Sequence, residues 1–320
     1  MELMINIFSL VGSLALFLFG MKTMSEGLEK FAGDRLRSIL AAMTKNRVMG
    51  VLTGILITAL IQSSSATTVM VVSFVNAGLM TLGQSIGVIM GANIGTTVTA
   101  WIISAVGFKV NIAAFAIPLL AIGMPLIFSG KGNRKSIGEF IFGFSFLFMG
   151  LAFLQEAATA MNIGDMVAGM LAHVPQDSFF TIILFVIVGA LVTMIVQASA
   201  ATMAITLMLF GMNIPGFGLE QAAALAMGQN IGTTITAFMA SLTANTQARR
   251  AALAHMFFNV FGVVAFLIVF YPACDAVSWF VDNVMGGGND LFKLSRSCTS
   301  AVASEECQSC TPSRVGTDIC

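Results

Sequence analysis

The sequence predicts an all-α integral membrane protein, and its composition, hydropathy and charge spacing all support this fold class. Of its 320 residues, 57% are hydrophobic and only 9% are charged, and the mean hydropathy is +0.93. Soluble globular proteins carry about 25% charged residues, so this chain cannot cover its whole surface with charge. Residues 48–108 contain no Asp, Glu, Lys or Arg, and residues 178–248 contain only Glu220. Part of the surface must therefore face lipid.

Four apolar runs have the length of ordinary membrane-spanning helices, which need roughly 20 residues. They lie at 5–21, 111–129, 137–155 and 251–271. Each of the two uncharged stretches is too long for one span and is interrupted by polar clusters, so each predicts a re-entrant helical hairpin followed by a crossing. The hairpins are expected at 48–79 and 179–213, and the crossings at 84–107 and 220–246. The first run lacks a basic leader segment and a small-residue cleavage site, so we expect an uncleaved helix.

The basic residues are segregated in a way that predicts the orientation of these elements. Lys and Arg concentrate between Lys22 and Arg47, in the loop 131–135 and at 249–250, whereas 156–178 contains none. The positive-inside rule places the three basic clusters in the cytoplasm. Six crossings, with the two hairpins entering from opposite faces, satisfy that placement apart from Lys109 and the sparse tail. Both termini are then periplasmic in a multi-pass protein of a bacterial inner membrane.

The two uncharged stretches also resemble each other, which predicts an internal repeat. Gln62-Ser63-Ser64-Ser65 recurs as Gln197-Ala198-Ser199-Ala200, and the ten residues at 91–100 recur at 228–237. The offsets are 135 and 137 residues, so a two-residue insertion separates the copies. Three crossings in each unit invert one copy relative to the other, an arrangement common in secondary transporters. We predict a first transport repeat at 1–135, an inverted second repeat at 136–273, each with a broken transmembrane helix, and a disordered tail at 274–320.

The duplicated polar clusters have the chemistry of ligand sites. Serine hydroxyls and glutamine amides both donate and accept hydrogen bonds, and free N–H groups at the N-terminus of a half-helix favour an anion. The shared Asn-Ile-Gly-Thr-Thr segment supplies an amide, two hydroxyls and a glycine that permits a break, which suits a hard cation such as sodium. No fixed positive charge lies near either cluster, so a bound anion needs co-bound cations to lower the cost of burying charge. Close helix packing is the alternative role for these small polar residues.

These motifs resemble those of the type II sodium/phosphate cotransporter family over roughly residues 10–273. The segment Ala254-His255-Met256-Phe257-Phe258-Asn259, followed by Tyr271-Pro272, is similar to the second half of that family. The resemblance implies sodium-driven movement of inorganic phosphate, by alternating access at a midplane site formed by the two hairpin tips. The phosphate candidates that it implies are Gln62, Ser63, Ser64, Ser65, Gln197 and Ser199. The sodium candidates are Asn93, Thr96, Thr97, Asn230, Thr233 and Thr234, with Gln197 shared between the two ligands.

Two departures from the family pattern bear on coupling. Ala198 and Ala200 lack hydroxyls that the family pattern supplies, which affects the sodium count and the affinity for phosphate. The first half also lacks the His-Asp-Phe-Phe-Asn segment of the animal members, whose acid is tied to an extra electrogenic sodium. The corresponding helix begins instead with Lys109-Val110-Asn111-Ile112. We therefore expect fewer coupled sodium ions.

Other functions compete with this one. A phosphate exporter, or a carrier of another oxyanion such as sulfate or arsenate, is the runner-up, and an anion channel would need a continuous polar pore. Fifteen basic and fifteen acidic residues leave no basic field for nucleic acid. An enzyme is not expected, because the sequence offers no intramembrane acid dyad, no metal cluster and no base beside the serines. Sodium is the expected coupling ion without an organic cofactor, and the expected partners are inorganic phosphate and membrane lipid, with an oligomer left open.

A few residues outside the clusters receive structural interpretations. His255 is expected to make a structural hydrogen bond rather than to couple protons. Glu220 is expected to stabilise a helix N-terminus rather than to line the pathway. Four cysteines lie in the tail, where a single C-x-x-C pair is weak support for zinc and an external location would allow disulfides. They are Cys298, Cys307, Cys310 and Cys320.

Overall fold

A computed structural model describes residues 2–32, 47–107, 112–129, 132–175 and 178–283, and within these ranges the regular structure consists of thirteen α-helices. The helices are α1 Glu2–Ala32, α2 Arg47–Ile61, α3 Ser64–Asn76, α4 Leu82–Gly107, α5 Ile112–Ser129, α6 Asn133–Ala160, α7 Ile163–Leu171, α8 Phe179–Val196, α9 Ser199–Gly211, α10 Leu219–Gly232, α11 Thr234–Ser241, α12 Thr246–Ile268 and α13 Phe270–Asn283. The described residues contain no strand, and the predicted all-α class is confirmed.

Several of these helices are suited to cross a membrane. The five that are long and apolar enough, among the described residues, are Met4–Phe31, Leu82–Ile103, Asn133–Ala160, Phe179–Val196 and Thr246–Ile268. Four of them coincide with predicted crossings, and the fifth, in α8, is the first arm of the second predicted hairpin. Of the other two predicted crossings, one forms α5, of which Phe115–Phe128 counts as a shorter apolar helix, and the other forms the two short helices α10 and α11. Large apolar side chains such as Phe8, Trp101 and Ile195 are exposed on the helices. The chain is therefore a multi-pass membrane protein.

A helix–turn–helix hairpin lies at each of the two predicted places, with its turn at the polar cluster. Only two residues separate α2 from α3, and only two separate α8 from α9. In each hairpin the first arm packs closely against the helix that follows the hairpin. A Cβ at Gly91 of α4 would collide with the carbonyl oxygen of Val51, and a Cβ at Gly228 of α10 would collide with that of Val186. Glycine is thus needed at equivalent places in both repeats because two backbones approach each other there.

The structure corrects the expectation of a broken helix in each repeat. In the first repeat α4 is continuous from Leu82 to Gly107. In the second, α10 ends at Gly232 and α11 begins at Thr234, but Thr233 between them keeps helical φ and ψ values of −61° and −25°. A glycine permits a break without forcing one, and here it serves packing instead. A Cβ at Gly232 would lie 2.7 Å from the Cβ of Thr193, which nothing larger than glycine can accommodate without a shift.

The structure also corrects the start of the tail. The helix α13 runs from Phe270 to Asn283, so residues 274–283 are helical rather than disordered. Phe270 and Cys274 are buried against apolar residues of α8, α10 and α12, and this burial stabilises α13. The acidic residues of this segment conceal the helix from a hydropathy pattern. The four cysteines of the tail lie outside the described residues.

Two apolar clusters join the hairpin of one repeat to helices of the other. The cluster that contains Ile61 of the first hairpin includes Ala237 of α11 and Ala251 of α12. The cluster that contains Ala201 of the second hairpin includes Ile103 of α4, together with residues of α1 and α6. The core of the protein therefore lies between the repeats as well as within them, and both hairpin tips are held by this packing.

Candidate functional site

The first hairpin turns at Gln62 and Ser63. Gln62 has a left-handed φ of +57°, and its N–H donates to a carbonyl oxygen of α2 at 2.7 Å. Ser63 is extended, with φ −146° and ψ 104°, and its hydroxyl accepts from the N–H of Ala66 at 3.2 Å. This is a helix N-cap, which satisfies one of the free donors in the first turn of α3. The N–H groups of Ser64 and Ser65 keep no partner among the described residues.

The second hairpin repeats this backbone. Gln197 has a φ of +53°, and Ala198 has φ −134° and ψ 96°. The N–H of Gln197 donates to the carbonyl oxygen of Thr193 at 2.8 Å, as its counterpart does in the first hairpin. Each tip therefore presents the N-terminus of a half-helix, where backbone N–H groups and the helix dipole favour negative charge.

A buried pair of threonines ties the two arms of each hairpin together near its tip. Thr58 donates to the Oγ1 atom of Thr67 at 3.1 Å in the first hairpin. Thr193 donates to the Oγ1 atom of Thr202, also at 3.1 Å, in the second. These positions are related by the same 135-residue offset that relates the glutamines. The sequence repeat is thus accompanied by the same hydrogen bonds in both hairpins.

The side chains at the two tips behave differently. Gln62 is 7% exposed, and its Nε2 donates to the carbonyl oxygen of Ala59 at 2.5 Å, while its Oε1 is buried without a partner. Gln197 is exposed, and its Nε2 lies 3.9 Å from the sulfur of Met239 in α11. Ala198 gives α9 no side-chain cap. The side chains of the first tip therefore make more hydrogen bonds to their own hairpin than those of the second.

Three serine hydroxyls at the tips have unused hydrogen-bonding capacity. The Oγ atoms of Ser64, Ser65 and Ser199 have no partner among the described residues, and Ser64 is buried. The structure brings four of the phosphate candidates together at the first tip and the other two at the second. No hydrogen bond links the two tips within the described part of the chain.

A cavity of about 380 Å³ lies between α4, α9 and α10. Its described wall consists of Asn93, Thr96, Thr97, Ala100, Trp101, Met203, Leu207, Ala226, Gln229 and Asn230. It therefore brings together four sodium candidates from both copies of the Asn-Ile-Gly-Thr-Thr segment. The remaining threonine candidates, Thr233 and Thr234, are buried outside this wall, as the six tip residues also lie outside it.

The four sodium-candidate threonines share one hydrogen-bonding pattern. Each donates its hydroxyl proton to a backbone carbonyl oxygen three or four residues earlier in the chain. The bonds run from Thr96 to Ala92 at 3.1 Å, from Thr97 to Ile94 at 2.7 Å, from Thr233 to Gln229 at 2.9 Å and from Thr234 to Ile231 at 2.7 Å. With the proton engaged, the lone pairs of each hydroxyl oxygen point away from the helix carbonyl, where they can accept a donor or a cation.

Asn93 and Asn230 occupy equivalent positions but have different surroundings. The Nδ2 of Asn93 donates to the Oδ1 of Asn259 at 2.9 Å, and its Oδ1 lies 3.3 Å from the Nε2 of His255. Both partners belong to α12, so Asn93 connects the first repeat to the last helix of the second. The structural hydrogen bond that the sequence predicts for His255 is present. Asn230 is exposed, and its side chain has no partner among the described residues.

Sequence reasoning missed two residues near these motifs. Gln229 lies in the cavity wall and is 1% exposed, and Asn259 holds Asn93. The sequence does contain a signal for Gln229. The segments 91–100 and 228–237 are nearly identical, but the first has Ala92 where the second has the amide of Gln229. The sequence marks Asn259 only as part of the segment that resembles the family. Its role as the partner of Asn93 is not visible there, because the two residues are 166 positions apart in the chain. Glu220, as predicted, lies in the first turn of α10.

Comparison with known proteins identifies the family. The model of the Na+/Pi-cotransporter family matches residues 16–156 and 160–278. The chain is 32% identical over 284 residues to YqeW of Bacillus subtilis (strain 168), described as uncharacterized, covering 88% of this chain and 87% of that protein. It is 28% identical over 270 residues to YjbB of Salmonella typhimurium, named as a proposed inorganic phosphate export protein, covering 84% of this chain.

The match to YjbB spans 48% of the length of that relative, so this chain corresponds to about half of it. The chain is also 39% identical over 99 residues to the sodium-dependent phosphate transport protein 2A of Rattus norvegicus, which is 30% of this chain and 15% of that protein. No solved structure matches the chain. The matched residues include most of both predicted repeats. The matched family is a family of transporters and not a class of enzymes. The chain belongs to the Na+/Pi-cotransporter family, as its duplicated motifs predict.

Proposed function

We propose that this chain moves inorganic phosphate across the membrane together with sodium ions, by alternating access at a site formed by the two hairpin tips. The observation that carries the proposal is the duplicated tip geometry in a member of the Na+/Pi-cotransporter family. Each tip ends in the N-terminus of a half-helix and carries at least one serine hydroxyl without a described partner. Re-entrant half-helices of this kind are the usual anion sites of secondary transporters.

Phosphate binds at the tips in this proposal. The hydroxyls of Ser64, Ser65 and Ser199 and the free N–H groups of the two half-helices donate to its oxygens. The oxygen of the Ser63 hydroxyl accepts from the N–H of Ala66 and so caps α3, which leaves the hydroxyl proton of Ser63 free to donate to phosphate as well. Gln62 and Gln197 complete the site with their amides, and the buried Oε1 of Gln62 can accept a hydrogen bond from the hydroxyl of a monohydrogen phosphate or contact sodium.

Sodium ions neutralise the phosphate in the same proposal. The six sodium candidates, with Gln197 shared, offer only neutral oxygen and nitrogen atoms, and the described part of the cavity wall contains no charged residue. A dianion alone would be costly to hold at membrane depth, because even one buried charge costs about 3 kcal/mol on insertion scales. Joint binding of anion and cations lowers that cost, and this mutual dependence is the physical basis of coupling. The sodium candidates are Asn93, Thr96, Thr97, Asn230, Thr233 and Thr234.

Alternating access follows from the predicted inversion of the two repeats. Hairpins that enter from opposite faces would give each face its own path to the tips. Movement of one repeat against the other then opens one path while it closes the second. The packing between hairpins and helices of the opposite repeat supports this proposal, because the tips cannot shift independently of both repeats.

Phosphate uptake into proteoliposomes tests this proposal. Purified protein is reconstituted, and uptake of radiolabelled phosphate is compared under an inward sodium gradient and with potassium replacing sodium. We expect uptake only with sodium, inhibited by excess unlabelled phosphate and not by sulfate. Equal phosphate uptake in sodium and in potassium would refute the proposal that transport is coupled to sodium. Absence of uptake by folded protein, or stronger inhibition by sulfate or arsenate, would remove phosphate as the substrate.

Phosphate export is a second candidate function. It is favoured by the similarity to YjbB, which extends over 84% of the present chain. Vesicles loaded with phosphate distinguish the two directions of coupling. An exporter would release phosphate with no sodium on either side and would show no uptake driven by an inward sodium gradient. The carrier proposed above would release phosphate only together with internal sodium. Exchange of internal and external phosphate would further separate either carrier from an anion channel.

A further inference from the structure

Gln229 is a buried amide without a described partner. It lies in α10, its side chain is 1% exposed, and its Oε1 is buried with no hydrogen bond. Its Nε2 likewise has no hydrogen-bond partner among the described residues. Burying an amide without a partner is unfavourable, and native proteins keep such groups where a water, an ion or a ligand completes them. The Gln229 side chain therefore requires a partner that the described residues do not supply.

The surroundings of Gln229 indicate the chemistry of that partner. Gln229 is one of the residues that line the cavity between α4, α9 and α10. Asn230, Thr96 and Thr97 share this wall and contribute amide and hydroxyl oxygens, and both threonines already donate their protons to helix carbonyls. No Lys, Arg, Asp or Glu belongs to the described wall. The cavity is thus rich in neutral acceptor oxygens.

We infer that Gln229 is an additional sodium ligand and that its Oε1 binds a sodium ion in this cavity, together with oxygens of Asn230, Thr96 and Thr97. The inference rests on the proposed function and adds a residue to its sodium sites. The atom of Gln229 that is fully buried and unpaired is an acceptor, and hard cations bind oxygen acceptors. A phosphate ion presents mainly acceptor oxygens of its own, so it would repel this atom.

The amides that this site uses come from one repeat only. The first repeat has Ala92 at the position of Gln229, and its asparagine, Asn93, is held by Asn259 and His255 of α12. The second repeat keeps both Gln229 and Asn230 without described partners. The cavity therefore has a ligand set that draws on both repeats but depends on the second repeat for its amides.

The substitution Gln229→Met tests this inference, because methionine has a similar length and needs no hydrogen-bond partner. Gln155→Met is the matched control, since Gln155 is half-buried on α6 and lies outside the cavity. Thermal stability of the purified proteins and binding of radiolabelled sodium are measured as NaCl replaces KCl at constant ionic strength. We expect Gln229→Met to be as stable as the wild type in KCl, to lose the stabilisation by sodium, and to raise the half-saturating sodium concentration of uptake at least 10-fold. The control should match the wild type.

Each alternative result has a defined meaning. A wild-type sodium response in Gln229→Met would overturn the inference, whether or not the variant is less stable in KCl. A raised half-saturating phosphate concentration with unchanged sodium binding would assign the amide to phosphate and also overturn it. If Gln229→Met does not fold, Gln229→Ala, which copies Ala92, is measured in its place with the same expected loss. If the wild type binds sodium but takes up no phosphate, and Gln229→Met loses the sodium binding, the result would support this sodium site and contradict the proposed function.

Discussion

At the scale of single residues, the two tip glutamines hold a backbone conformation that favours glycine. Gln62 and Gln197 both have φ near +55°, where a side chain costs on the order of 1 kcal/mol or more. Glycine would adopt this conformation without that cost. A glutamine at both places, 135 residues apart, therefore points to a role of the amide that outweighs the backbone strain.

Replacement of Gln62 by glycine separates the backbone from the amide. We expect Gln62→Gly to leave the stability unchanged or to raise it by up to about 1 kcal/mol, while phosphate uptake is lost. Asn213→Gly is the matched control, because Asn213 has a φ of +49°, is exposed and lies away from both tips. It should show the same backbone effect with normal uptake. Thermal unfolding and proteoliposome uptake measure both quantities, and normal uptake by Gln62→Gly would contradict the assignment of Gln62.

The serines of α3 allow a second comparison within one helix. Ser64 is buried at the tip with a hydroxyl that lacks a described partner, whereas Ser73 is exposed and donates to the carbonyl oxygen of Val69 at 2.9 Å. Ser64→Ala should abolish phosphate uptake and leave membrane insertion and stability nearly unchanged, because no protein hydrogen bond is lost. Ser73→Ala should keep wild-type uptake. Equal uptake by the two variants would show that the Ser64 hydroxyl does not bind phosphate.

At the scale of helices, glycines allow the close approach of two helix backbones. Much of the arrangement could be predicted from the sequence: both hairpins turn at the polar clusters, and the repeat offset persists in the threonine pairs near the tips. The continuity of α4 was not predictable, because a glycine in a polar segment is equally consistent with a break and with close packing. Gly95 and Gly232 serve close packing, a contact with a helix some 40 residues away that a local pattern does not contain.

A pair of Gly→Ala substitutions tests this view of packing. A Cβ at Gly228 would collide with the carbonyl oxygen of Val186 in α8, so Gly228→Ala should destabilise the protein by roughly 1–3 kcal/mol. Gly262 in α12 has nothing within 4 Å of such a Cβ. Gly262→Ala should therefore be neutral or stabilise by about 0.5–1 kcal/mol through its higher helix propensity. Thermal unfolding in detergent measures both, and a stable Gly228→Ala variant would mean that α8 and α10 can separate without cost.

At the scale of the whole molecule, the hydropathy pattern could predict which segments lie in the membrane but not which surfaces meet inside it. The site candidates illustrate the difference. Asn93 and Asn230 are equivalent in sequence, yet only Asn93 is tied to α12, because Asn259 and His255 have no polar counterparts at the corresponding place in the first repeat. Such pairings depend on the tertiary fold, so the sequence predicts the residue types of the site and not the division of roles between the repeats.

The orientation in the membrane is the remaining feature of the whole molecule that the charge pattern predicts. Arg134 lies in the first turn of α6 and Asp165 lies beyond its last residue, and the 28 residues of α6 extend about 42 Å at 1.5 Å per residue, more than the roughly 30 Å of the hydrocarbon core. Single cysteines at these two positions, in a chain whose five native cysteines are replaced, should therefore react with an impermeant maleimide from opposite faces.

The positive-inside rule further predicts which face each position occupies, because Lys131, Arg134 and Lys135 form one of the basic clusters. In intact cells Asp165→Cys should be labelled directly, and Arg134→Cys only after the membrane is permeabilised. Asn283→Cys, at the end of α13, should behave like Asp165→Cys if the end of the chain is periplasmic. Labelling of Arg134→Cys and Asp165→Cys from one face would refute α6 as a crossing, whereas exchanged faces would keep the fold and reverse its orientation.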